Sequence, residues 1–326
     1  MENQELIHGD VTPKDGECRF TELERVEKFK IKLWVEYLKE ALNYKSIYAL
    51  QKHFSGDDKF IHKTEGTTHP TDWNKYFNGT RIPSLKTLDK AYKEVPSSEY
   101  IYNMPFWRLV TERVSKEYIN DALSATSPDI KKILFNPTGI SGLDWKRKDL
   151  RKNDRIRLFL RRKGTIDALN VIMLLMAEDE FNFSIISFVD NRSCLMNTMV
   201  NVCSFPPFDE PNTARFLYEC IIKRFFIPLN LPEELSFYDK YQYPSPYHMV
   251  RWVNENKDLL EYLEAIEVID DTISRERKLD ILNKYYELPR HKKSELHAAF
   301  RFYFCLRDVY EKNIETYSVA HLPLFQ

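Results

Sequence analysis

The 326-residue chain predicts an all-α fold. Apolar residues recur at helical spacings of three and four along most of its length. Only eight glycines occur, and no series of alternating runs separated by Asn-Gly or Asp-Gly turns is present, which argues against a sandwich or barrel. With 43% hydrophobic and 14% aromatic residues the chain has ample apolar surface for real cores, and its length makes two or three domains the default.

Residues 1–27 read as an acidic, flexible segment without a signal-peptide core. Helices are expected over 27–42, where Ile31, Trp34, Leu38 and Ala41 share a face, and over 46–54, through Ile47, Leu50 and Phe54. In THPTDWNKYFNGTRIPSLKTLDKAYKEV, residues 68–95, Pro70 suits a first helical turn after a cap at Thr68 or His69, and Trp73 and Phe77 lie on one face. Thr71, Asp72, Asn74, Lys75 and Asn78 are then left outward, a set of donors and acceptors suited to base edges and phosphates. Gly79 can close the helix in the left-handed backbone region, Arg81 follows in the turn, and Pro83 restarts the chain. Ser84 then caps a helix with Leu85, Leu88, Tyr92 and Val95 inward. Four short amphipathic helices need only one shared core.

The pair SIYALQKHF and TDWNKYFNGTRIPSLKTLDKAY resembles the Xre or lambda-repressor-like helix-turn-helix family, whose members often show an aromatic, then Gly, then Pro, then a leucine-spaced helix. The likeness covers residues 28–95, under a quarter of the chain. It departs from the family at 55–67, where thirteen residues stand in place of a turn of three or four. Either an insertion bulges from the turn, or the helix and breaker spacing coincides without kinship. The resemblance implies an N-terminal helix-turn-helix-like part, 28–140 with its bridge, that presents Lys52, Thr71, Asn74, Lys75, Arg81 and Lys86 to DNA.

Residues 96–142 form that bridge, with Phe106 and Trp107 as packing anchors and linkers at 124–129 and 136–142, rich in Ser, Pro and Gly. A boundary near 140 follows, and a larger helical part, 141–326, opens with a basic helix. Its LDWKRKDLRKNDRIRLFLRRK, residues 143–163, holds ten Lys or Arg against three Asp. Read as one helix, it lines up Arg147, Arg151, Arg155 and Arg162 to track a phosphate backbone; the plain alternative is a solvated helix whose arginine stems cover apolar surface. TIDALNVIMLLMA, residues 165–177, is shorter than the ~20 residues a membrane span needs and reads as a central buried helix, so no membrane partner is expected. Packed helices are expected over 247–274, through Met249, Val253, Leu260 and Leu263, and over 276–311, through Leu279, Leu282, Tyr286, Phe300 and Phe304.

The net charge of −1 conceals a polarised distribution. Residues 1–27 sum to −5, residues 28–163 to +12 and residues 164–326 to −8, and a basic block between acidic ends hints at a polyanion surface. Five scattered cysteines without a C-x-x-C pair suit buried thiols in a reducing cytosol, so a cytoplasmic protein is expected. No P-loop, dinucleotide fingerprint, nucleophile elbow or H-E-x-x-H occurs, so no catalytic residue, cofactor or metal is assigned. His53, His62 and His69 read as solvated loop histidines, and the acidic pairs at 178–180, 209–210 and 270–271 as surface carboxylates.

Two readings of function follow. In the first, a bacterial or phage-type transcriptional regulator reads the major groove with residues 28–95 and holds backbone with the 143–163 cations, which could equally contact RNA. Its acidic helical half forms a homodimer or meets a protein partner. In the second, an effector uses the helix-turn-helix for targeting. Proteins with such an arm are found beside mobile-element and phage-defence genes, including retrons, and that association implies a role in antiviral defence.

Overall fold

A computed structural model describes residues 22–55, 72–138, 144–148, 154–182, 184–225, 246–270, 272–289, 291–299 and 303. The described chain is predominantly helical. Its N-terminal part contains α1 (Glu22–Ala41), α2 (Ile47–Ser55), α3 (Asp72–Phe77), α4 (Leu85–Glu94), α5 (Ser97–Asn103), α6 (Pro105–Thr111), α7 (Lys116–Ser124) and α8 (Pro128–Leu134). A hairpin of β1 (Phe135–Thr138) and β2 (Asp144–Arg147) follows. Then come α9 (Asp154–Lys163), α10 (Ile166–Asn182), α11 (Ile185–Cys203), α12 (Pro211–Phe225), α13 (Pro246–Ala265), α14 (Arg275–Glu287) and a further helix, α15, over 291–299.

Among the described residues the apolar interior falls into three clusters. The largest surrounds α10, every residue of which from Ala168 to Ala177 is buried, as expected of a helix apolar on all sides. That cluster takes Val26 and Leu33 from α1, Phe106, Trp107 and Leu109 from α6, and Val253 from α13, so it draws on both sides of position 140. The second cluster holds the small N-terminal bundle: Ile31, Trp34, Val35 and Leu38 of α1 with Leu50, Phe54, Trp73, Tyr76, Leu88 and Ala91. The third joins Leu259, Leu260 and Leu263 of α13 to Leu279 and Leu282 of α14. Because α1 gives one flank to each of the first two clusters, it is the shared wall between bundle and body.

The bridge is anchored by a polar network as well as by Phe106 and Trp107. Asn170, buried in α10, accepts from the Phe106 backbone N–H at 3.0 Å and donates to the Tyr100 hydroxyl at 2.8 Å. Tyr100 in turn donates to Asp167 at 3.0 Å, and the other Asp167 oxygen accepts from the Ser127 N–H at 3.1 Å. The Ser-rich 124–129 stretch is thus a tight turn between α7 and α8, pinned to α10.

The single helix expected over 143–163 is not formed. Residues 144–147 pair antiparallel with 135–138, Trp145 opposite Pro137 and Arg147 opposite Phe135, and only 154–163 is helical. Local preference is overridden by a partner strand reached across a short hairpin. Pro137 is tolerated because a two-stranded ribbon consists of edges only. The ladder continues where the Lys148 N–H donates to the Leu134 carbonyl at 2.9 Å. Arg151 lies outside the described residues, and Arg147 and Arg155 stand on different elements, so the expected one-sided arginine row does not exist as such.

Candidate nucleic-acid interface

The α3 segment is held by an aromatic stack. Trp73 lies between Trp34 of α1, with ring centres 5.7 Å apart and planes at 15°, and Phe54 of α2, at 4.8 Å and 18°. Tyr76 closes edge-on against Trp73 at 5.7 Å. Trp73 and Tyr76 are the buried pair of α3, whereas Phe77 is only half-buried and lies under the Lys32 ammonium. The inward stripe therefore sits one position earlier than four-residue spacing from Trp73 predicts, as i, i+3 geometry equally allows.

The turn after α3 follows from its sequence. The Thr80 N–H donates to the Lys75 carbonyl at 2.8 Å and the Gly79 N–H to the Tyr76 carbonyl at 2.9 Å, the paired bonds of a Schellman closure. Gly79 adopts φ +63°, and a Cβ there would stand 2.8 Å from the Lys28 Cβ on α1. Ser84 then caps α4, accepting from the Thr87 N–H at 3.2 Å. Of the side chains expected to face inward from α4, Leu88 and Val95 are buried and Tyr92 is partly so, but Leu85 is 80% exposed. Its place is taken by Ala91. With Ile82, 66% exposed, Leu85 forms an apolar tip beside Arg81 that sequence patterning missed.

Asn74 and Lys75 lie partly exposed on the flank of α3 away from Trp73, and Lys86 is exposed on the first turn of α4. Asp72 sits between two cations: Arg81 hydrogen-bonds to its carboxylate, and the Lys75 ammonium is 3.8 Å from the same oxygen. Arg81 and Asp72 are each about half exposed, and such surface pairs are worth roughly 0 to 1 kcal/mol, so a phosphate can compete for either cation. Lys52 is exposed on α2, next to His53. Lys90 donates to the Phe54 carbonyl and so satisfies the end of α2. Thr71 lies outside the described residues.

His53, expected in a loop, stands on α2. Its Nδ1 meets the Tyr44 hydroxyl at 3.0 Å and its Nε2 lies 3.4 Å from Glu94 of α4, a brace joining α2 to α4 and to the turn after α1. His62 and His69 lie outside the described residues.

Four of the eight described cations of the basic segment are held by carboxylates. Arg147 is doubly bonded to Glu178 of α10, and Arg157 pairs with Asp154 and, across to α11, with Asp190 at 3.1 Å. Arg162 pairs with Glu287 of α14 at 2.7 Å, and Lys163 with Asp129 of α8. These pairs clamp α9 and the hairpin to four neighbouring helices and neutralise much of the segment. Of the cations singled out there, Arg155 is exposed and has no carboxylate in reach among the described residues.

Cys194, Cys203 and Cys220 are buried thiols, and burial pushes the Cys194 thiol up to about 11 and Cys203 further still, so neither of these two is poised as a thiolate. Among the described residues no group of three or more His, Cys, Asp or Glu is placed to hold a metal, and no helix is long and apolar enough to cross a membrane. No family model, curated protein or solved structure matches the chain.

Proposed function

We propose that this chain is a DNA-binding protein of the helix-turn-helix kind, a transcriptional regulator whose α3 flank and following turn meet the major groove. One observation carries the reading: Trp73 and Tyr76 fix α3 from below, while Asn74, Lys75, Arg81 and Lys86 remain available on the other side of the α3–α4 corner. Asn offers a bidentate match to adenine, and the cations suit phosphates flanking the groove. The exposed Ile82 and Leu85 add apolar surface suited to a thymine methyl or a sugar. Arg155 extends the contact along the backbone, and the helical C-terminal half supplies a dimer or partner surface.

Binding to genomic fragments, followed by gel shift at two salt concentrations, tests this. The expected result is preference for a subset of fragments, weakened by about 1 to 3 kcal/mol on Asn74→Ala, with Lys75→Ala or Arg81→Ala weakening all fragments alike and flattening the salt dependence. Uniform binding insensitive to the α3 variants but lost on Arg155→Ala and Arg151→Ala would replace the regulator with a nonspecific nucleic-acid effector.

A further inference from the structure

The C-terminal half forms an open cavity of about 730 Å³ between the end of α9, one face of α11, and α13, α14 and α15. That volume lies within the range typical of small-molecule sites, roughly 300 to 1,000 Å³. Its charges are not balanced. Glu255 and Glu287 line it, but each is already paired with an arginine that does not, Arg251 and Arg162, both at 2.7 Å. Arg161 and Lys293 also line it, and among the described residues neither has a carboxylate within salt-bridge distance. The Lys293 ammonium donates to the Tyr286 carbonyl. With those two arginines counted, four cations stand against two carboxylates at the cavity, an excess of positive charge that favours an anion.

The rest of the wall narrows the class of anion. Trp252 and Tyr286 present ring surface, 37% and 43% exposed. The Tyr286 ring is held in place by its hydroxyl, which donates to Asn256 at 2.5 Å. Asn283 and Asn201 each spend their amide N–H on an α9 carbonyl, Arg162 at 3.1 Å and Arg161 at 3.2 Å, and Asn197 spends its own on Ser193 at 3.0 Å. Among the described residues no donor meets their amide oxygens, which are left to accept. Cations for phosphate, aromatic faces for stacking and fixed carbonyl oxygens for ring N–H groups are the complement of one ligand type.

We propose that this cavity binds a nucleoside phosphate, with its phosphate at Arg161 and Lys293, its base against Trp252, and the asparagine oxygens reading the base edge. The site is built from α9, α11, α13, α14 and α15 and binds whether or not the α3 corner meets DNA.

Isothermal titration of the full-length protein with ATP, GTP, CTP, UTP, adenosine and inorganic phosphate tests it. At least one nucleotide is expected to bind at one per chain with a Kd below about 1 mM, and more tightly than adenosine or phosphate. Arg161→Gln and Trp252→Ala should each weaken that ligand about tenfold or more, while Arg277→Gln, on α14 but outside the cavity, leaves it unchanged. Trp252→Leu, which removes the ring face but keeps apolar bulk, serves if Trp252→Ala does not fold. The assignment is overturned if no nucleotide saturates. It is equally overturned if phosphate binds as tightly as the nucleotide, or if the Arg161 and Trp252 variants bind like the parent.

Discussion

Asp179, near the C-terminal end of α10, is 6% exposed, and burial is the chief reason its carboxyl is pushed up to about 6, with Glu178 beside it adding to the rise. Hydrogen bonds from Ser187 and Asn191, the latter at 2.8 Å, and the nearby Arg157 oppose the shift without cancelling it. A folded pKa above the ordinary 3.8 means the native state binds the proton more tightly than the unfolded chain. Stability contributed by this group is therefore lost as pH rises from about 4 to 6, and the loss, on the order of 2 to 3 kcal/mol, is complete above that. Asp179→Asn keeps an oxygen for Asn191 and removes the charge. It should raise Tm at pH 7.5, with the gain shrinking toward pH 4. An equal gain at both pH values, or a loss at pH 7.5, would show that the carboxylate is compensated in the native state. Asp129 has the opposite sign: Lys163 holds it down to about 2, so its contribution is present at neutral pH and fades only in strong acid, outside that window.

At the level of elements, the α3–α4 corner rests on two residues with separable costs. Gly79→Ala places a β-carbon in the left-handed region and against the α1 backbone at Lys28, so a loss of about 1 to 3 kcal/mol in urea unfolding is expected. Ser84→Ala removes only the cap on Thr87 and should cost about 1 kcal/mol. Similar small losses for both would mean that the turn can move away from α1. These same two residues were legible beforehand, because a closing glycine and a capping serine act within a few positions of themselves. The buried face of α10 was equally plain, since a helix apolar on every side has nowhere else to go. What the sequence hid was decided at long range. Whether Leu85 or Ala91 packs inward depends on how α4 leans on its neighbours, and 144–147 becomes a strand only because 135–138 lies opposite. The carboxylates that occupy Arg147 and Arg162 lie 31 and 125 positions away, so charge counting along the chain could not reveal that much of the basic block is spoken for. Pocket residues such as Arg161, Trp252 and Lys293 come from separate elements and carry no shared motif.

For the whole molecule, the decisive feature is the double duty of α1. Trp34 and Leu38 complete the small bundle, while Val26 and Leu33 pack into the same cluster as α10 and α11. Further clamps cross between the halves: Arg224 of α12 meets both oxygens of Glu180 at 2.8 Å and donates to the Leu109 carbonyl of α6 at 3.0 Å. With its side chain only 12% exposed, this guanidinium holds three helices at one point, and losing it would leave Glu180 and a backbone acceptor unpaired. A fragment ending at residue 140 would keep the Trp34–Trp73 stack but expose Phe106, Leu109, Ile119, Leu123 and Ile130, whose cluster is centred on α10. Such a fragment should bind a hydrophobic dye and melt over a broad range. The full-length chain should instead show one cooperative loss of tryptophan and helix signals across bundle and body. A sharp, dye-free transition in the fragment, with the tryptophan emission of the intact protein, would mean that the N-terminal cluster is sufficient by itself. In that case α1 would act as a tether between independent units instead of a wall common to both.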